Sequence, residues 1–114
     1  MSDCIFCKIV RGEIPSRKVY EDDEILAFHD VSPKAPVHFL VIPKRHIANL
    51  MELSPSDAAL VGRIVFQAQR IATELGCAER GARFVFNCKA DGGQTVDHVH
   101  LHALGGRAMD WPPG

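Results

Sequence analysis

No apolar run in this chain of 114 residues approaches the length of a membrane span, and its first residues lack the charged-then-apolar pattern of a secretory signal. Repeats, low-complexity tracts and internal linkers are missing too, so a single domain over residues 1–114 is expected. Excess charge of either sign is also absent. The 13 Lys and Arg against 14 Asp and Glu leave a net charge of −1. That balance gives no electrostatic argument for nucleic acid or a membrane surface as partner. There are only four cysteines, and without a secretory signal they are expected to stay reduced, which predicts a cytoplasmic protein with free thiols. Aromatic residues make up only 7%, with a single tryptophan. The apolar content of 46% is ordinary, and a chain of this size can bury a core without needing disulfides or a metal.

What the chain does have is a row of histidines: His98, Val99, His100, Leu101, His102, Ala103, Leu104. Side chains alternate along a strand, so the three imidazoles share one face and Val99, Leu101 and Ala103 share the other. The apolar row belongs in a core, which leaves the imidazoles facing something polar. Ahead of them, Asp91, Gly92, Gly93, Gln94 and Thr95 form a turn whose glycines allow backbone N–H groups close to an anion. Two chemistries suit the row. Neutral imidazole binds zinc, but residues two apart on a strand are separated by about 6.7 Å, so His98 and His102 stand about 13 Å apart and one ion could take at most two of the three. A phosphoester or phosphoramidate could instead lie along the row, with one imidazole as nucleophile and its neighbour as proton donor.

The remaining pattern predicts a small α+β fold. Cys4, Ile5, Phe6, Cys7, Lys8, Ile9 and Val10 read as a short helical or turn segment ended by Gly12 and Pro15. Residues 18–21 and 25–29 read as a hairpin turning at Asp22 and Asp23, and 37–42 as a central strand apolar on both faces between Pro36 and Pro43. Ser54 as N-cap, Pro55 and Asp57 open one long helix, whose stripe is Leu60, Ile64, Ala68, Ile71 and Leu75 and whose stop is Gly76. A fourth strand over 83–88 precedes the histidine row, which is expected to be the fifth. The sheet should therefore be five-stranded and mostly antiparallel.

Several separated motifs carry a resemblance: Ile5-Phe6, Phe28-His29-Asp30, Ala35-Pro36-Val37-His38, Asp91-Gly92-Gly93-Gln94, the histidine row, Gly105-Gly106-Arg107, and Trp111-Pro112-Pro113-Gly114. Together they span nearly the whole chain. The chain resembles the histidine-triad (HIT) superfamily, in its Hint branch of purine nucleoside phosphoramidases. That resemblance implies hydrolysis of purine nucleoside 5′-phosphoramidates, AMP or GMP conjugates, to the nucleotide and an amine through a covalent nucleotidyl-histidine. It also implies His100 as nucleophile, His102 at the phosphate or managing protons, His38 supporting the site and Thr95 near the leaving amine. Ile5, Phe6 and Ile9 would wall the base and Asp30 would accept ribose hydroxyls. His29, Asn87 and Gly93, with its neighbouring backbone N–H groups, would complete the nucleotide site. A homodimer with joined sheets is implied as well, its tail of residues 110–114 packing across the interface so that Trp111 shapes the choice of leaving group. Related alternatives are a dinucleoside polyphosphate hydrolase and a nucleotide-binding regulator that keeps the fold without turnover.

Cys4 and Cys7 have the spacing of a zinc knuckle or a redox pair. A zinc would need two further ligands. His98 is the triad member furthest from His102, and His46 carries no other task. Cys4, Cys7, His46 and His98 are thus the candidate structural zinc site, matching positions through which some histidine-triad proteins carrying this spacing bind zinc; the implied catalysis itself uses no metal.

Overall fold

The computed structural model describes residues 4–114 and has the element order α1 (Ile5–Val10), β1 (Lys18–Glu21), β2 (Ile25–His29), β3 (Val37–Pro43), α2 (Ala58–Glu74), β4 (Ala82–Phe86), α3 (Lys89–Gly92) and β5 (Leu101–Gly105). Five strands form one sheet in the order β1-β2-β3-β5-β4, and every neighbouring pair is antiparallel. The predicted α+β architecture is therefore the observed one.

Strand periodicity splits the core into two layers. Ile25, Ala27, Phe39, Val41, Leu101 and Ala103 point to one face and pack under α2, against Leu60, Ile64, Ala68, Ile71 and Ala72. Leu26, Phe28, Leu40 and Ile42 point to the other face, where α1 covers them with Phe6 and Ile9. β3 is buried on both faces because a layer covers each side, which explains its unbroken apolar run. His38 lies on the α1 side of that strand. Gly105 ends β5 without a side chain because a Cβ there would stand 2.5 Å from Cys77 Sγ.

Local signals set most element ends. Asp22 Oδ1 accepts from the N–H groups of Glu24 and Ile25 at 2.8 Å each and closes the β1–β2 hairpin. Ser54 and Asp57 form a reciprocal capping box, but Pro55–Asp57 is a turn of 3-10 helix, so α2 proper begins at Ala58. Leu75 is the C-cap of α2 and 37% exposed, and Ala72 takes its expected place in the stripe. The 98–104 row differs most from expectation. Only Leu101–Gly105 ladder with β3 and β4, while the Val99 N–H bonds to the Ile47 carbonyl at 2.7 Å, drawing residues 98–100 off the sheet. The turn at 89–92 is likewise a short helix, α3, closed by Gly93 in the left-handed region.

Candidate active site

A cavity of about 290 Å³ opens on the α1 side of the sheet. Ile5, Phe6 and Ile9 of α1 line it together with Ile14, Pro15 and Ser16, and Phe28, His29, Asp30, Thr95, His100 and His102 are also among its lining. Nearly all the predicted base, ribose and catalytic positions thus converge on one space. Ile14, Ser16, Val31, Leu40 and Val96, which also line it, carry no signal in the sequence that separates them from ordinary loop or core residues.

Asn87, Gly93 and His38 do not line this cavity, although His38 touches His102, which does. Gly93 donates its N–H to the Ala90 carbonyl and Gln94 donates to the Lys89 carbonyl, both at 3.0 Å. These two amides cap α3 and have no free proton to offer a phosphate. Gln94 braces the turn further, accepting from the Lys89 N–H at 2.8 Å and donating to the Ala48 and Val96 carbonyls. Lys89 holds a left-handed φ of 58°, costly for a side-chain-bearing residue.

Hydrogen bonds orient each imidazole. His100 Nδ1 lies 2.7 Å from the His98 carbonyl oxygen, which can only accept, so Nδ1 carries the proton and Nε2 keeps its lone pair. His38 Nδ1 accepts from the Lys34 N–H at 3.0 Å, so the proton of neutral His38 sits on Nε2. That Nε2–H faces His102 Nδ1 at 3.0 Å and Asp30 Oδ2 at 3.4 Å. His102, accepting at Nδ1, then presents Nε2–H as a donor. His38 and His102 meet because Leu40 pairs with His102 and His38 with Leu104, making the two histidines diagonal neighbours across β3 and β5. The Lys34 amide and the His98 carbonyl were not legible as site groups, since backbone atoms leave no mark in a sequence.

The electrostatics favour neutral rings. Burial holds His100 and His38 below the ordinary histidine range. For His102, burial and the neighbouring His100 and His38 push the pKa down to about 4, against a weaker opposing pull from Asp30. At neutral pH His100 is therefore uncharged, with its Nε2 lone pair available.

The other end of the row meets different partners. His98, fully buried, uses Nε2 to bond the Pro43 carbonyl at 2.8 Å, which leaves the Nδ1 lone pair facing Cys4 Sγ at 3.3 Å and Cys7 Sγ at 3.6 Å. His46 Nδ1 stands 3.3 Å from Cys7 Sγ, and one ligand atom from each of these four residues lies within 4.8 Å of all the others. Donors on a tetrahedral zinc, bound at about 2.0–2.3 Å, stand a little under 4 Å apart, so the set fits such an ion. The Pro43 carbonyl supplies the outer hydrogen bond that ligating histidines usually make. Burial and the adjacent Cys4 raise the Cys7 thiol pKa, against a weaker opposing pull from Arg11.

Oriented imidazoles on a cavity of this size make a site that could hold a small ligand against histidine side chains. The HIT-domain family matches residues 11–109, and the chain belongs to the HIT family. A solved HIT family hydrolase from Legionella pneumophila superimposes with a TM-score of 0.96 at 51% identity, covering 98% of this chain and 100% of that one. A 14 kDa zinc-binding protein of Brassica juncea is 45% identical over 98% of this chain and 100% of its own length. The adenylylsulfatase HINT1 of Arabidopsis thaliana is 44% identical over 99% of this chain and 78% of its own length.

Proposed function

We propose that this protein hydrolyses purine nucleoside 5′-phosphoramidates to a nucleoside monophosphate and an amine. The observation that carries the reading is the His100 Nδ1 bond to the His98 carbonyl, which holds the opposite nitrogen as a free nucleophile in the apolar-walled cavity. His100 Nε2 attacks the α-phosphorus, a P–N(imidazole) bond forms and the P–N(amine) bond breaks. The departing amine takes its proton from solvent, while His102 Nε2–H hydrogen-bonds the phosphate and Thr95 stands close to the leaving group. Water then cleaves the nucleotidyl-imidazole, its oxygen staying on phosphorus, one proton returning to solvent and His100 leaving as the neutral ring. Two displacements retain configuration at phosphorus. Ile5, Phe6 and Ile9 wall the base, and Asp30 accepts the ribose hydroxyls.

The name of the Arabidopsis relative favours a second reading, in which sulfate is the group displaced from an adenylyl phosphorus. A panel of AMP-amine, adenylyl sulfate and dinucleoside polyphosphate substrates separates these readings and the related polyphosphate hydrolase. Binding of AMP without turnover of any of them leaves a nucleotide-binding regulator.

Zinc is the metal we assign to Cys4, Cys7, His46 and His98. It would clamp α1 to the start of the histidine row, and it takes no part in the chemistry. For assembly we infer a homodimer through β4, which has a neighbour on one side only. Phe84 on β4 and Val65 and Phe66 on α2 are 43%, 46% and 59% exposed, an apolar surface suited to a second copy. Light scattering on the purified protein tests this. Among the described residues no helix is long and apolar enough to cross a membrane, and we place the protein in the cytoplasm as a reading of its free thiols.

A further inference from the structure

Among the described residues, Ser16 Oγ is the one buried side-chain oxygen or nitrogen with no hydrogen-bond partner. A buried hydroxyl left unpaired is costly, and where one persists it calls for an explanation. Ser16 lines the cavity described above, on the Ile14, Pro15, Ser16 wall. It also lines an adjoining hollow that shares Pro15, His29, Asp30 and Val31 with that cavity. Its position is therefore at the border between the apolar base walls and the Asp30 end.

We propose that Ser16 is a base-contacting residue whose hydroxyl donates to N3 of the bound purine, an inference that rests on the nucleotide reading of the cavity. With the ribose at Asp30 and the base between Ile5, Phe6 and Ile9, the edge of the base nearest the sugar faces this border. On a purine that edge presents N3, an acceptor common to adenine and guanine. A hydroxyl has the freedom to turn about χ1 toward it, exchanging an unpaired buried state for a paired one. The contact would select a base with an acceptor beside the glycosidic bond while remaining indifferent to the groups that distinguish AMP from GMP. The pairing also gives the ligand-free orphan a purpose, since a site built to hydrogen-bond its ligand rejects an analogue lacking the partner atom.

Calorimetric titration of the full chain with AMP, 3-deaza-AMP and ribose 5-phosphate tests this. Wild type should bind 3-deaza-AMP about five- to tenfold more weakly than AMP, the worth of one hydrogen bond. Ser16→Ala should bind AMP with a similar loss, show no further loss on going to 3-deaza-AMP, and bind ribose 5-phosphate as wild type does. Its ligand-free Tm should equal or exceed that of wild type, because the unpaired hydroxyl is gone. Equal wild-type affinity for AMP and 3-deaza-AMP overturns the proposal even if the variant fails to fold, and so do independent, multiplying losses or an equal loss for ribose 5-phosphate. Wild type binding no AMP at all would overturn the nucleotide reading first and this inference with it.

Discussion

The two ends of the histidine row use the same side chain in opposite surroundings. His98 spends Nε2 on the Pro43 carbonyl and turns Nδ1 to two thiols, sealed from solvent. His102 accepts at Nδ1 from His38, beside the Asp30 carboxylate, and lines the cavity. Between them, His100 bonds the backbone of one and lies near the ring of the other, 4.9 Å between centroids. The difference shows that an imidazole's task is set by what its second nitrogen is bound to. A carbonyl on one nitrogen frees the other as a ligand or nucleophile, whereas a donor on one makes the other a donor.

The sharpest break in this comparison is His100→Ala. Turnover should fall by more than about a thousandfold, as expected for loss of a covalent nucleophile, with AMP affinity within about threefold of wild type. Single-turnover kinetics beside calorimetry read both; a loss under about a hundredfold would remove His100 from the nucleophile's role.

At the other end, Cys7→Ser should lower metal content and stability while leaving kcat nearly intact. Protein purified without chelator should carry close to one zinc per chain by elemental analysis, and the variant much less. The expected fall in Tm is about 10 °C or more, because metal-binding energy is folding energy in a site of this kind. A variant that keeps its metal, or a wild type that neither holds nor reloads zinc, would reduce Cys4 and Cys7 to packing residues.

Acid should act on the histidine cluster as a whole. His38, His98, His100 and His102 all have folded pKa values below the ordinary 6.5, His102 down to about 4. As pH falls the unfolded chain takes up these protons first, so stability is full above about 6.5 and is lost between there and about 4. Turnover should stay flat through pH 6.5 and decline only below it, since His100 remains neutral. A kcat/KM profile falling with a midpoint at or above 6.5 would contradict the burial argument.

Asp30→Ala tests the sugar end and should have a smaller effect. Affinity for AMP should drop about tenfold and that for 2′,3′-dideoxy-AMP hardly at all. Asp30 also receives the Ser32 N–H at 2.8 Å, so equal loss for both ligands would mean that Asp30 acts only through its turn.

The sequence made the row legible through alternation, and the two-layer core follows from the same period, with Val99, Leu101 and Ala103 packed under α2. The break at Leu101 was not legible. It depends on Ile47 capturing the Val99 N–H from a loop 52 residues upstream, and no local pattern records such a bond. The glycine turn hides a related bond pattern, because the Gly93 and Gln94 amides, which a sequence reads as open backbone, close α3. The Cys4, Cys7, His46 and His98 grouping was reachable by elimination, since those histidines had no competing task. Ser16 was invisible, since only burial reveals a missing partner.

The smallest effect expected is that of the tail. Arg83 on β4 donates to the Asp110 carbonyl at 2.7 Å, tying the tail to an edge strand of the sheet. Trp111 is 81% exposed and does not line the cavity of its own chain. A tryptophan left in water gains nothing from its large apolar surface, so its contribution must come from a second copy if it has one. Deleting residues 110–114 should therefore leave AMP affinity unchanged and alter relative kcat/KM among leaving amines by about two- to fivefold, with bulky apolar amines losing most. Arg83→Ala should move the same ratios in the same direction by less, because it loosens the tail without removing it. Unchanged ratios in both variants, measured on protein shown to be dimeric, would separate the tail from substrate choice and leave Trp111 as a surface residue without a catalytic consequence.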